Sequence, residues 1–210
     1  MKNIARSAVA LILAVCAVTG FTAGTQAKEE KPSKLPEKAA PVTGVLVYQN
    51  EKAKVDASNQ AEGYALVSYH GGKDVRIKVL IRKQDGVTYT YDLNNKGIAE
   101  TFPFTEGDGA YTVGVFENIV GTRYAQAYSC TVNVTLRNNF LPFLYPNQYV
   151  NFTMESETAK KAAELGGEGD LDIVSRIYAF VTDNLTYDTE LAKTVKSGYL
   201  PDVDAVLAKG

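Results

Sequence analysis

The chain has 210 residues with 22 basic and 24 acidic side chains, a formal charge of −2, one histidine and no tryptophan. This mildly acidic balance excludes the electrostatic attraction on which nucleic-acid binding depends, so no nucleic-acid partner is expected. Two cysteines, Cys16 and Cys130, are too few for a disulfide framework.

The chain opens on the pattern of a secretory signal. Lys2 and Arg6 form a basic start, Ala8 to Val18 is a nearly unbroken apolar run, and Thr25-Gln26-Ala27 places small residues at a cleavage site. The run falls short of the roughly 20 apolar residues that span a bilayer. Residues 1–27 therefore read as a signal peptide, with no membrane span after cleavage and a secreted or cell-envelope location. Bulky Val15 stands where a small residue precedes a lipidated cysteine, which puts lipoprotein anchoring at Cys16 behind simple export. Cleavage takes away two basic residues and no acidic one, and it leaves Cys130 alone. Stability must then come from packing, because an intrachain disulfide is impossible.

Residues 28–43, with Lys28-Glu29-Glu30-Lys31-Pro32 and prolines at 36 and 41, are charged and nearly free of large apolar groups. They read as a flexible linker. From Gly44 to Leu136 the pattern changes to short β-branched or alternating stretches: Val45 to Tyr48, Tyr64 to Tyr69, Val75 to Ile81, Val87 to Tyr91, Ile98 to Phe104, Ala110 to Phe116 and Arg123 to Leu136. Gly71-Gly72-Lys73-Asp74 and Gln84-Asp85-Gly86 supply turns between them, and Glu106-Gly107-Asp108-Gly109 reads as a hairpin turn. Period-two spacing sends Val75, Ile77, Val79 and Ile81 to one face and Arg76 and Lys78 to the other. Seven or eight such strands with no helical period between them favour an antiparallel β-sandwich of immunoglobulin-like type over residues 44–136, with the strand order left open.

Residues 137–152 form an apolar connector in which Pro142 and Pro146 forbid an α-helix and which is expected in a seam between domains. Residues 153–210 turn helical. Ser156 to Leu165 is rich in helix formers and closed by Gly166-Gly167; after Asp170, a plausible N-cap, Leu171, Val174, Ile177, Tyr178, Val181 and Leu185 recur at helical spacing; a last helix runs from Asp202 to about Ala208. Helical units of this size are only marginally able to bury such apolar stripes alone, so a packing partner beyond these residues is expected.

The stretch Ile177-Tyr178-Ala179-Phe180-Val181-Thr182-Asp183-Asn184-Leu185-Thr186-Tyr187-Asp188 resembles the entry helix of the transglutaminase-like cysteine-enzyme superfamily. Gly198-Tyr199-Leu200-Pro201-Asp202-Val203-Asp204-Ala205-Val206-Leu207-Ala208-Lys209-Gly210 is similar to the loop, short helix and Lys-Gly step that follow it in exported bacterial members. Phe143 to Phe152 resembles the bridge from a β-sandwich to that core. The resemblance implies a two-part α+β protein in which an N-terminal antiparallel β-sandwich precedes the initial helices of an incomplete transglutaminase-like α+β domain. It also implies a papain-like thiol that attacks a carboxamide, with a histidine as base and an aspartate orienting it. In such relatives the cysteine follows the Lys-Gly step, so the chain is expected to stop before the triad, and no catalytic, cofactor-binding or metal-ligating residue is assigned here.

The remaining candidates have plainer readings. Cys130, in Tyr128-Ser129-Cys130-Thr131-Val132, reads as a small strand residue packed in the core. His70 ends a strand before Gly71-Gly72 and reads as a turn-edge residue; no third group is indicated that would orient a Cys130–His70 dyad. Glu164, Glu168, Asp170 and Asp172 lack the alternating spacing of a calcium loop. Tyr64, Tyr69, Tyr89, Tyr91 and Tyr111 occupy strand positions suited to packing, although an exposed tyrosine row stacks well on sugar or peptide. The Asn-X-Thr triplets at Asn133, Asn151 and Asn184 read as incidental in a bacterial protein. The expected function is that of an exported protein whose full-length parent acts on an extracellular or cell-wall protein or peptide by cross-linking, deamidation or hydrolysis. The alternative is a non-catalytic cell-envelope binding or adhesion module that works through the sandwich; a structural spacer is a third reading.

Overall fold

The computed structural model describes residues 38–196 and 198–210. The signal segment with Cys16, and residues 28–37 of the expected linker, lie outside the described residues. Tertiary contacts divide the chain into two units, so that of the described residues 38–166 with 200–210 belong to one and 167–199 to the other.

In the larger unit eight strands form two antiparallel sheets. The first contains β1 (Val47–Gln49), β2 (Ala53–Asp56), β3 (Tyr64–Tyr69) and β6 (Glu100–Pro103), in the order β1-β2-β3-β6. The second contains β4 (Ile77–Lys83), β5 (Thr88–Leu93), β7 (Gly109–Val120) and β8 (Arg123–Val134), in the order β5-β4-β7-β8. The expected alternation in β4 holds, since Ile77, Val79 and Ile81 are at most 1% exposed, while Lys78 reaches Asp92 at 2.8 Å. Val55, Val67, Tyr69 and Phe102 of the first sheet share one buried layer with Val79, Val113, Val115 and Val132 of the second. Fully burying each aliphatic chain contributes about 1.5–3 kcal/mol, so this layer makes the two sheets a sandwich.

The strand β2 was not anticipated, because Ala53-Lys54-Val55-Asp56 carries only one strong β-former; its pairing with Tyr69 to Leu66 of β3 supplies what local propensity does not. Glu106-Gly107-Asp108-Gly109 turns the chain, but not as a hairpin. It carries the chain from β6 in one sheet to β7 in the other. Tyr111 fixes that crossing, its hydroxyl accepting from Glu106 N at 3.0 Å and donating to Gly107 O at 2.8 Å.

The connector is built onto the sandwich. Leu141–Phe143 forms a 3₁₀ turn led by Pro142, and Leu141 and Tyr145 pack with Tyr64 of β3, the two tyrosine rings lying 4.6 Å apart. Gly63 makes this possible: its φ is +86°, and a Cβ there would meet Pro142 Cγ at 2.4 Å. Gln148 then reaches across the open edge of the sandwich, its amide donating to Asp92 O of β5 and to a Glu100 carboxylate oxygen of β6 at 2.7 Å. Near the start, Val42 N donates to Asn59 Oδ1 at 2.8 Å and Gly44 N to Asp56 Oδ2 at 2.7 Å, so the last residues of the expected tether are tied down.

Four helices follow: α1 (Glu157–Glu164), α2 (Asp170–Asn184), α3 (Thr189–Thr194) and α4 (Val203–Lys209). The short α3 was not expected, although Asp188 caps it by accepting from Leu191 N at 2.8 Å. Asp170 is the first residue of α2 and not its N-cap. Gly169 holds the cap position with φ +119°, and Asp172 accepts from Glu168 N at 3.0 Å. Within the larger unit Asp204 of α4 caps α1, accepting from Thr158 N at 2.9 Å and Thr158 Oγ1 at 2.7 Å.

Replacing Tyr111 by Phe removes the only hydroxyl that serves the Glu106–Gly107 turn in these two bonds. Tyr111→Phe is expected to lower the unfolding free energy by about 1–2 kcal/mol, read in urea as an earlier midpoint at unchanged slope.

Candidate functional site

At one end of the sandwich lie the β1–β2 turn (50–52), the β3–β4 crossing (70–76), the β5–β6 crossing (94–99) and the tip of the β7–β8 hairpin. A single carboxylate organises them. Glu117 shares the inward parity of Tyr111, Val113 and Val115 in β7 and is only 4% exposed. Burying a carboxylate costs several kcal/mol unless it is paired and hydrogen-bonded. Here Tyr69 Oη donates to Oε1 at 2.8 Å, Lys73 Nζ approaches Oε2 at 2.8 Å, and Lys52 Nζ lies 3.2 Å from Oε1. The Lys73 bond, with those of Tyr69 and Lys52, outweighs desolvation and holds the Glu117 carboxyl down at about 2. Burial and the bond to Glu117 push the Tyr69 hydroxyl up to about 12.

Further bonds tie the same loops together. His70 N donates to Lys52 O at 2.6 Å, Asn118 N to Arg76 O at 2.9 Å, and Asn95 Nδ2 to Asp74 Oδ1 at 3.1 Å and Val75 O at 3.3 Å. The pairing of β4 with β7 ends at Ile77–Glu117, whereas β7 and β8 continue to Val120–Arg123, so the hairpin projects as a two-stranded ribbon. Ile119 and Val120 near its tip are 63% and 53% exposed, and Ile98 in the neighbouring crossing is 61% exposed.

The residues singled out in the sequence lie elsewhere or serve the fold. His70 is exposed at the end of β3, its Nε2 sharing a hydrogen bond with Ser68 Oγ at 2.9 Å. Cys130 sits half-buried opposite Val113, and burial pushes its thiol up to about 11, the wrong direction for a nucleophile. Tyr64, Tyr69, Tyr91 and Tyr111 are buried and present no stacking row. Asp172 is engaged by Arg176 Nε at 3.0 Å as well as by Glu168 N. A depression of about 290 Å³ beside Phe152, Leu200 and Pro201 is rimmed by Asp202 and Asp204, but both carboxylates are occupied in capping α4 and α1. Sequence reasoning missed Glu117, although its spacing of two from Val115, Val113 and Tyr111 was the available signal.

A second buried carboxylate, Glu62, stands at the opposite end. Arg137 grips it through Nε at 2.7 Å and Nη2 at 2.9 Å, and Tyr145 Oη donates at 2.7 Å. The Arg137 bonds first, then those of Tyr145 and Ala39 N, hold it at about 2 against desolvation. Both carboxylates titrate lower in the fold than the 4.5 of a free glutamate. Their contribution to stability is therefore complete above about pH 4.5 and is lost as pH falls toward 2. Acid unfolding followed by circular dichroism should show this loss in the wild type, and Glu62→Gln with Glu117→Gln should flatten the pH dependence over that window while lowering stability at pH 7.

No family model and no curated protein matches the chain. Among solved structures it is similar to a computationally redesigned β-sandwich protein at 18% identity, with a TM-score of 0.34 over 44% of this chain and 96% of that one.

Proposed function

We propose that this chain is the N-terminal portion of an exported transglutaminase-like protein, in which an immunoglobulin-like sandwich positions or recruits an extracellular or cell-wall protein and the helical part opens a papain-like core. The parent would act on protein amides or peptide bonds by thiol acyl transfer. Cross-linking, deamidation and hydrolysis all pass through one acyl-enzyme and differ in the nucleophile that resolves it.

The observation that carries this reading is the state of α2. It forms over Asp170–Asn184 and contains no buried residue; Leu171 is 86% and Tyr178 59% exposed, and Val174 is 41% exposed on the same stripe. A helix with that face fits a larger α+β core better than an isolated existence. The order β1-β2-β3-β6 against β5-β4-β7-β8, and the Tyr111 hydroxyl closing on Gly107 O, support the immunoglobulin-like reading of the sandwich. Export rests on the sequence of residues 1–27. No helix among the described residues is long and apolar enough to cross a membrane.

A second reading, a non-catalytic binding module of the cell envelope, is favoured by the loop end that Glu117 holds together, because binding residues concentrate on loops fixed by a rigid scaffold. Retention of the chain on purified cell-wall material, with and without Ile119→Ser, tests that reading.

The 210-residue chain itself should neither release ammonia from a glutamine peptide nor incorporate a primary amine into it. Thiol-dependent turnover that disappears in Cys130→Ala would defeat the assignment of the chemistry to residues outside this chain. A longer product of the same gene, assayed in parallel with and without iodoacetamide, supplies the positive arm.

A further inference from the structure

The loop end fixed by Glu117 differs in charge from the rest of the chain. Its turns and crossings carry Lys52, Lys73, Arg76, Lys96 and Arg123 against Glu51, Asp74 and the buried Glu117, an excess of two positive charges on a chain whose formal charge is −2. Lys96 and Arg123 are exposed. Glu117 is enclosed by Lys52, Lys73 and Tyr69, and Arg76 lies 3.3 Å from Asp92, so the basic character of the outer surface rests on Lys96 and Arg123.

The same end carries apolar groups in an unusual position. Ile98, Ile119 and Val120 are each more than half exposed, two of them near the tip of a ribbon that runs past the sheet. Three aliphatic side chains are far too few for the roughly 800 Å² per partner of a stable protein interface. They also lack the aromatic face that stacks on a sugar. Exposed aliphatic groups with Lys96 and Arg123 at the same end suit the headgroup boundary of an anionic bilayer, where aliphatic groups leave water and lysine and arginine meet lipid phosphates.

We propose that this end of the sandwich is a docking surface for an anionic lipid bilayer, with Ile119, Val120 and Ile98 entering the interface and Lys96 and Arg123 contacting headgroup phosphates. Glu117 and Tyr69 act as positioning residues that hold the loops in one plane of approach. The inference does not rest on the acyl-transfer reading.

The chain has no tryptophan of its own, so a single introduced indole reports on its own site. Ile119→Trp in the full chain, and Val120→Trp as a second reporter, are mixed with vesicles of equal phosphatidylglycerol and phosphatidylcholine. Val87→Trp, at a residue 61% exposed in the turn at the opposite end, is the control. The expected result is a blue shift at 119 and 120, quenching there by lipids brominated in the acyl chain, and no change at 87. Charge reversal by Lys96→Glu with Arg123→Glu should lower partition at least about tenfold, and added salt should weaken it. No shift at either tip reporter, an equal shift at position 87, or undiminished binding to pure phosphatidylcholine or by the charge-reversed chain would each overturn the proposal. Retention on cell-wall material in the absence of any vesicle response would assign the surface to a polymer or protein partner instead.

Discussion

Two buried carboxylates at opposite ends of the sandwich hold the arrangement on which everything else depends. The shared core of Val55, Val67, Val79, Val113 and their neighbours brings the sheets together, but it does not determine how the chain passes between them. Near Glu117 the chain crosses twice, between β3 and β4 and between β5 and β6. There the carboxylate joins Lys52 of one turn, Lys73 of a crossing and Tyr69 of β3. At the other end Glu62 joins the entering chain at Ala39, the β2–β3 connection and the departing chain at Arg137 and Tyr145. Stripping such a group of its partners would leave a buried charge uncompensated, at a cost of about 3–5 kcal/mol, so each site locks its loops as a unit.

This arrangement separates two kinds of loop. The Glu62 end is closed: the connector packs Leu141 and Tyr145 onto Tyr64, and Arg137 and Tyr145 bind the carboxylate. The Glu117 end is fixed from beneath yet open above, and its surplus cations and exposed aliphatic tips meet solvent. Rigid support below and unsatisfied chemistry above is the combination expected of a recognition surface, since ordering the loops has already been achieved in the fold and need not be repeated on binding.

Much of the sandwich was legible because side-chain periodicity is local. Tyr64–Tyr69 matches its expected bounds, and the inward set of β4 follows from alternation alone. The failures share one cause, which is dependence on partners far away in the chain. Ala53-Lys54-Val55-Asp56 is a strand because β3 pairs with it. Glu106 to Gly109 has hairpin chemistry, but the pairing of β7 with β4 and β8 makes it a crossing between sheets. Glu62 and Arg137 are 75 residues apart, and no local pattern announces their pairing. Glu117 was the more accessible of the two, because a glutamate at the inward parity of a strand needs a partner, and Lys52 and Lys73 both lie in connections at the same end.

The helices invert this relation between local and distant information. Their local signals are strong: Asp188 and Asp202 cap α3 and α4, Asp204 caps α1, and Lys160–Glu157, Lys161–Glu164, Lys193–Glu190 and Arg176–Asp172 pair along exposed faces. Each cap and each exposed pair contributes only a little on its own. Such contributions define where a helix starts and stops, but nucleation is costly and short helices depend on packing to persist. In α1 to α4 no residue is buried. The stripe of Leu171, Val174 and Tyr178 therefore has a face specified by sequence and little of the burial that would stabilise it. That imbalance, and not any catalytic group, is what the proposed larger core would relieve.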